Sequence, residues 1–361
     1  MSWYKRKAMQ QEIFHHLSTA ANIKHAMAQL HLAECYLDGV GVGQDHAKAS
    51  ELYRRLADDG IPQAQVAIGR CYENGGCVEQ SYETAIEWYS KAAEQGHEDG
   101  RLHIIFLRGW FSFIGHGVEQ SDVDALSHWH EVSSKSADPV IKPIATHMVG
   151  WMYYLGRGTQ QDRQRGVKAI RESKSIEFKL GENECLRACW SNIKSGSAAS
   201  RKLFELCRLG SNRDWLCNHL MIVCQFLGFG TTENRKEAVG IFEQLANEGH
   251  SDSQFWVGVC YLCGCGVLTD NEKAFEWLGK SAHQGNPYGQ LMVGVSYYNG
   301  RGTTQDYIKA AEWFQKSAEQ GNQNGWGVES DIDIAVFWFR KSADQGNQNG
   351  IRSLRELGRW P

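Results

Sequence analysis

The sequence predicts an all-α chain, a solenoid of helix–turn–helix repeats with a period of 36 residues. Three observations predict it. First, a glycine turn followed by Val or Thr recurs along the chain. It stands at Gly39-Val40-Gly41-Val42, Gly75-Gly76-Cys77-Val78, Gly115-His116-Gly117-Val118 and Gly156-Arg157-Gly158-Thr159. It returns at Gly228-Phe229-Gly230-Thr231, Gly264-Cys265-Gly266-Val267, Gly300-Arg301-Gly302-Thr303 and Gly325-Trp326-Gly327-Val328. Successive first glycines lie 36, 40, 41, 72, 36, 36 and 25 residues apart, so 36 is the modal period and 72 is two periods. Second, the flanking residues recur in the same register. Third, the chain of 361 residues holds 38 Gly but only 5 Pro. Against usual shares of about 7% and 5%, this excess points to glycines that end regular elements.

Each unit reads as two amphipathic helices around the turn. Three residues before it stands an aromatic, Tyr36, Tyr72, Tyr153, Tyr261 or Tyr297. Ten residues after the first glycine comes Ala49, Ala85, Ala125, Ala238, Ala274, Ala310 or Ala335. Three further on is Leu52, Trp88, Ile241, Trp277, Trp313 or Trp338, and at +21 stands Gly60, Gly96, Gly249, Gly285, Gly321 or Gly346. Apolar residues three and four apart on both sides give helix A before the turn and helix B after it. Glycine suits the left-handed C-cap that ends each helix. About 16 helices are expected, with Trp88, Trp277, Trp313 and Trp338 in the core on helix B.

The elements follow in order. Residues 1–24 hold an N-terminal capping helix, with Phe14 and Leu17 on one face. The solenoid occupies 25–321, in units of about 25–60, 61–96, 97–138, 139–175, 176–210, 211–249, 250–285 and 286–321. Spacings of 40 and 41 add about one helical turn to the third and fourth units, whose A helices are placed at 101–114 and 143–155. The unit 176–210 is degenerate: its turn is due near position 192, where Ser191-Asn192-Ile193-Lys194 stands, and Asn tolerates the left-handed conformation. The last spacing of 25 removes helix A, leaving a truncated half-repeat over 322–346 and a C-terminal cap over 347–361.

Charge and hydropathy exclude several classes. With 38 Lys+Arg against 42 Asp+Glu the net charge is −4, which argues against a generic nucleic-acid or anionic-membrane binder. No stretch approaches the roughly 20 apolar residues that span a bilayer. The basic start Lys5-Arg6-Lys7 runs into Gln10-Gln11-Glu12 and His15-His16 without an apolar signal core, so a cytoplasmic chain with reduced cysteines is expected.

In the unit around Gly300-Arg301-Gly302-Thr303, with Asp306-Tyr307, Lys309-Ala310-Ala311-Glu312-Trp313 and Lys316-Ser317-Ala318-Glu319-Gln320-Gly321-Asn322, the chain resembles the Sel1-like repeat. That repeat is a relative of the tetratricopeptide repeat. The match covers most of residues 25–350. The resemblance implies a right-handed superhelix of helix pairs, used as a scaffold or adaptor for protein–protein interaction. It also admits a neutraliser or regulator that caps a toxin, effector or signalling enzyme.

Signs of other chemistry are weak. Gly279-Lys280-Ser281 resembles the tail of a phosphate loop, but position 274 is Ala where that loop needs Gly. Moreover Lys91-Ala92-Ala93, Lys316-Ser317-Ala318 and Lys341-Ser342-Ala343 repeat the same element. Cys260, Cys263 and Cys265 could bind zinc or take part in redox chemistry. Yet Cys260 takes the same place as Cys35 and Cys71, where a small buried thiol fits, and no His lies at ligand spacing. Neither H-E-x-x-H nor G-x-S-x-G occurs. No catalytic residue, metal or cofactor is assigned, and a metal- or thiol-dependent, hydrolase-like enzyme is the alternative reading.

In such helix pairs the A helices usually line the inner, concave surface. With the repeat Tyr as position 10 of helix A, positions 2, 6 and 10 (Ala28, Leu32, Tyr36) form the packing stripe. Position 7, often glycine as in Gly69, Gly150, Gly258 and Gly294, lets helices approach closely. Positions 5, 8 and 12 then look into the groove. They are His31, Glu34 and Asp38, then Arg70 and Asn74. Centrally they are Leu107, Trp110, Ile114, Met148, Trp151 and Leu155, and further on Trp256, Val259, Cys263, Met292 and Asn299. A partner protein would meet an aromatic patch around Trp110 and Trp151, rimmed by polar residues. The alternative is that the one-turn insertions turn the central residues into the core.

Overall fold

The computed structural model describes residues 3–180 and 195–319, together with positions 336, 340 and 355. Among the described residues there are sixteen α-helices and no strand, the sole extended pairing being an isolated bridge between Ser195 and Phe229. The chain divides into two compact units, Met1–Arg108 with Ser134–Asp138, and Gly109–Ser133 with Pro139–Pro361. The first contains α1 (Trp3–Asn22), the hairpins α2 (Ala26–Asp38) with α3 (His46–Asp58) and α4 (Pro62–Asn74) with α5 (Tyr82–Glu94), and the start of α6 (Glu98–Ile114). The second contains the end of α6, α7 (Asp122–Lys135) except its last two residues, α8 (Ile141–Leu155), α9 (Arg163–Glu172), α10 (Ala198–Gly210), α11 (Trp215–Leu227) and α12 (Arg235–Asn247). It continues with α13 (Ser251–Cys263), α14 (Asn271–His283), α15 (Pro287–Asn299) and α16 (Tyr307–Glu319). The fold class is the α-solenoid expected, of helix hairpins repeating every 36 residues.

The turn chemistry explains why each hairpin forms. α15 ends on Gly300, whose φ of 67° only glycine adopts without strain, and whose N–H donates to the Ser296 carbonyl. The same cap closes α2, α4, α8, α11 and α13. Helix B then opens on Asp45, Ser81, Asp162, Ser197, Asn234 or Asp270, whose side chain accepts the N–H three residues on. Several of these N-caps also donate their own N–H to the repeat Tyr carbonyl, as Asp45 does to Tyr36 at 2.8 Å and Asp270 to Tyr261 at 3.0 Å.

Two sets of glutamines, invisible to an apolar-periodicity reading, finish the job. Gln44, Gln80, Gln120, Gln161 and Gln305, each five residues past the turn glycine, donate side-chain N–H groups back to a carbonyl near the end of helix A. Gln29, Gln65, Gln254 and Gln290 are buried and donate to the carbonyls of Ala21, Ala57, Ala246 and Ala282, near the ends of the preceding helices. Helix C-termini leave carbonyls without intrahelical partners, and these amides satisfy them where water cannot reach.

Packing within a hairpin depends on the mid-helix glycine. A Cβ on Gly258 would sit 2.6 Å from Leu278 Cγ, and one on Gly69 2.6 Å from Tyr89 Cε1. The core of the first unit is Leu30, Ala33, Tyr53, Leu56, Ile68 and their neighbours. In the second unit, Trp110, Phe113 and Trp129 form one aromatic cluster, with Trp129 5.2 Å from each of the other two. Phe226, Phe242 and Trp256 form another, Phe242 and Trp256 stacking at 5.4 Å. Arg157 pairs with Asp122 at 2.7 Å and with Asp214 at 2.8 Å, joining the turn after α8 to the start of α7 and the N-cap of α11.

Several expectations need correction. Trp88 is buried, but Trp277 and Trp313 are only half-buried and lie on the surface with Lys280 and Lys316 over their rings at 4.0 and 4.3 Å. Near the edge of helix B the indole face is stabilised by an ammonium group. The A helices of the third and fourth repeats begin earlier than residues 101 and 143, at Glu98 and Ile141, and run 17 and 15 residues against the usual 13. The turn expected near position 192 and most of the half-repeat and cap expected over 322–361 lie outside the described residues.

Candidate functional site

On α2 and α4 the helical register leaves a polar row outside the core. His31 and Glu34 are exposed and paired, Nδ1 to Oε2 2.8 Å. Asp38, exposed one turn on, has its carboxyl pushed up by partial desolvation and by the Glu34 charge. Arg70 and Asn74 are exposed at the equivalent positions of α4. Positions 2 and 6 of α2, Ala28 and Leu32, are buried as the packing stripe requires. In the first unit, then, the row His31, Glu34, Asp38, Arg70 and Asn74 lies along two successive A helices with its polar groups accessible.

Arg70 also roofs a buried ionic cluster that periodicity did not reveal. Its guanidinium pairs with Asp138, and its Nε lies 3.3 Å from His103 Nε2. His103 is almost wholly buried, with Nδ1 3.5 Å from Glu73 and Nε2 3.6 Å from Asp138. Tyr89 stacks on its ring at 4.7 Å and donates to Glu73 Oε2 at 2.5 Å. Burial alone would lower the imidazole pKa, but Asp138 and Glu73 outweigh it, and the pKa is raised. Two carboxylates against one guanidinium leave a net negative charge, which favours the protonated imidazole. Of its members, Asp138 lies 35 residues past His103, beyond any local pattern.

The aromatic patch expected at the centre is not a surface. Trp110 and Met148 are 0% exposed, Ile114 and Trp256 2%, Trp151 5% and Val259 9%. Leu107 in the first unit is likewise at 0%. The cause is packing on neighbouring helices, beginning with Trp110 against Trp129 of α7, its own helix B. Trp151 meets His219 of α11 at 6.0 Å and donates to His147 Nε2 at 3.2 Å, while Trp256 of α13 meets Phe226 of α11 at 5.2 Å. Positions 5 and 8 therefore pack on neighbouring A and B helices, and burial there extends to α13, a helix of ordinary length. The insertions alone do not explain it. Leu155, Cys263 and Met292 are half-buried, and Asn299 is exposed, its amide on the Val295 carbonyl at 3.0 Å.

The sulfur cluster likewise reads as packing. Cys260 is fully buried and burial pushes its thiol well up, while Cys265 receives a 3.8 Å contact from Arg235. Among the described residues no group of three or more His, Cys, Asp or Glu side chains is placed to hold a metal, and no helix is long and apolar enough to cross a membrane.

Comparison with known proteins fits this geometry. The family model described as the Sel1 repeat matches residues 26–61, 62–97, 143–168, 215–250, 251–286, 287–322 and 323–347. No curated protein matches the sequence. Among solved structures, a protective antigen present in uropathogenic Escherichia coli strains and displaying an SLR fold is 25% identical. That alignment covers 94% of this chain and 73% of the other, with a TM-score of 0.36. A Sel1 repeat protein from Oxalobacter formigenes is 20% identical over 85% of this chain and 91% of its own, with a TM-score of 0.36. A putative sel1 repeat protein from Klebsiella pneumoniae subsp. pneumoniae is 15% identical over 81% and 99%, with a TM-score of 0.21. With matched segments over more than half its length, and a hairpin in the structure wherever a matched segment is fully described, the chain belongs to the Sel1 repeat family.

Proposed function

We propose that this chain is a non-catalytic scaffold or adaptor that binds a partner protein on the exposed polar faces of its A helices and regulates that partner. Sel1 repeat proteins generally mediate protein–protein interaction, and the family is typically a non-catalytic scaffold. One observation supports a place for the contact: the row of His31, Glu34, Asp38, Arg70 and Asn74 at register-equivalent positions of α2 and α4. The exposed His31–Glu34 pair adds little stability, since surface pairs contribute about 0–1 kcal/mol. Its carboxylate, with Asp38, suits a basic segment of the partner, while Arg70 and Asn74 fix orientation. Leu155, Met292 and Asn299 extend the accessible positions in the second unit. The buried Leu107, Trp110, Ile114, Met148, Trp151, Trp256 and Val259 act as the frame that holds these helices.

The test is affinity capture with the full chain and its Glu34→Lys/Asp38→Lys variant side by side. The variant should lose the captured partner while its unfolding free energy changes by no more than about 0.5 kcal/mol, as for surface substitutions generally. Equal capture by both proteins would rule out this face.

A further inference from the structure

Cys77 breaks the repeat at a position where its chemistry matters. Two residues past the turn glycine the other described turns carry Gly41, Gly117, Gly158, Gly230, Gly266 and Gly302. At Gly158, Gly230, Gly266 and Gly302 that glycine lies against the first turn of the preceding B helix. A Cβ on Gly266 would sit 2.7 Å from the Arg235 carbonyl, and one on Gly302 would collide with that of Asn271, both the first residues of their helices. Here the residue is Cys77, and the first residue of the preceding B helix is His46. Cys77 Sγ lies 3.7 Å from His46 Nδ1. Beneath it, the buried Cys71 thiol on α4 belongs to the core cluster against which Cys77 packs. Cys77 is half-buried and His46 exposed, so a small reagent reaches the sulfur from solvent.

We infer that Cys77 is a reactive thiolate, a site of oxidation by hydroperoxides, with Cys71 as its resolving thiol. The hydrogen bond from Cys71 and the neighbouring imidazole of His46 pull the Cys77 pKa down to about 6, against the opposing effect of burial. Cys71 is pushed up by its bond to Cys77 and by burial, so it holds the proton that it shares with the thiolate. Low pKa, partial exposure and an adjacent thiol are the features that make a cysteine redox-sensitive.

The steps balance. The Cys77 thiolate attacks the hydroperoxide, whose O–O bond breaks; sulfur takes the hydroxyl and becomes a sulfenic acid, and an alkoxide or hydroxide leaves. The Cys71 sulfur then attacks the sulfenic sulfur, its proton goes to the departing hydroxide, and a Cys71–Cys77 disulfide and water result. The hydroperoxide is the oxidant and is reduced by two electrons. Neither Cys35 nor Cys260, which share the helix position of Cys71, has a cysteine at this place in its turn.

The experiment uses the full, reduced chain. Iodoacetamide labelling at pH 6, read by peptide mass spectrometry, compares Cys77 in the native and urea-unfolded protein. At pH 6 about half of Cys77 is thiolate, against about 0.3% of a thiol of pKa near 8.5. Its lower intrinsic nucleophilicity takes back about tenfold, so native Cys77 should react about tenfold faster than the unfolded one and ahead of the half-buried Cys263. His46→Gln should remove part of that lead. Hydrogen peroxide should then yield the Cys71–Cys77 disulfide in the wild type. In Cys71→Ser it should yield a Cys77 sulfenic acid that dimedone traps. Cys77→Gly, which restores the glycine of the repeat, should give neither product. Native Cys77 that labels more slowly than in the unfolded chain, or peroxide that leaves both thiols free, would overturn the inference.

Discussion

Two buried histidines titrate in opposite directions, and each makes its unit sensitive to a different side of neutrality. His103 has an ordinary pKa of 6.5 when unfolded, and Asp138 and Glu73 hold it above that in the native state in spite of burial. The native chain therefore keeps a proton that the unfolded chain has lost. The stability this contributes is complete below pH 6.5 and disappears as pH rises through the raised value. His219, by contrast, is pushed down to about 3, first by burial and then by His250, and its Nδ1 lies 2.9 Å from Ser253 Oγ. Its contribution is present above pH 6.5 and is lost as pH falls toward 3. Urea unfolding across pH should show His103→Gln flattening the alkaline limb and His219→Gln the acid limb. Removing one partner of a buried pair costs about 3–5 kcal/mol. Glu73→Gln should approach that cost at pH 6 and cost less once pH has risen through the raised His103 value. Neither histidine could be assigned from sequence, because Asp138 and Ser253 reach them from other helices or loops.

At the scale of the helix, glycine was legible where it caps and less so where it packs. The Gly-rich turns and the +21 glycines show as punctuation, and the turn-to-B acids and Asn are the N-caps. What spacing could not distinguish is a glycine under a neighbouring side chain from one facing water. Gly258→Ala would press its Cβ on Leu278 and should cost about 1–3 kcal/mol, the usual penalty of overpacking. Gly240→Ala, in the middle of α12 with nothing within 4 Å of the added Cβ, should instead stabilise by about 0.5–1 kcal/mol. Thermal melts of the two variants should shift in opposite directions. The glutamine contacts at repeat boundaries escaped notice because polar residues carry no weight in an apolar period. Trp110 and Trp151 were misplaced for a related reason. Periodicity finds one stripe facing helix B, but Trp110 meets Trp129 on that same helix B from outside the stripe, and Trp151 meets His219 on another A helix, α11. Trp110→Ala should accordingly cost about 3–5 kcal/mol, and the melting temperature will report it whether or not a partner is present.

For the whole molecule, the period carried the fold class, because each hairpin buries its face only against the next and the register must be kept. It did not show that the apolar residues expected at the centre of the groove are buried. What remains accessible in the first unit is charged and lies on α2 and α4, where substitution leaves the core intact. Hydrogen–deuterium exchange of the full chain, with and without the partner it captures, addresses that surface most directly. Binding through this face should slow exchange in peptides spanning residues 31–38 and 70–74. Protection confined to B-helix peptides such as those around Trp277 and Trp313, with residues 31–38 and 70–74 unchanged, would contradict it.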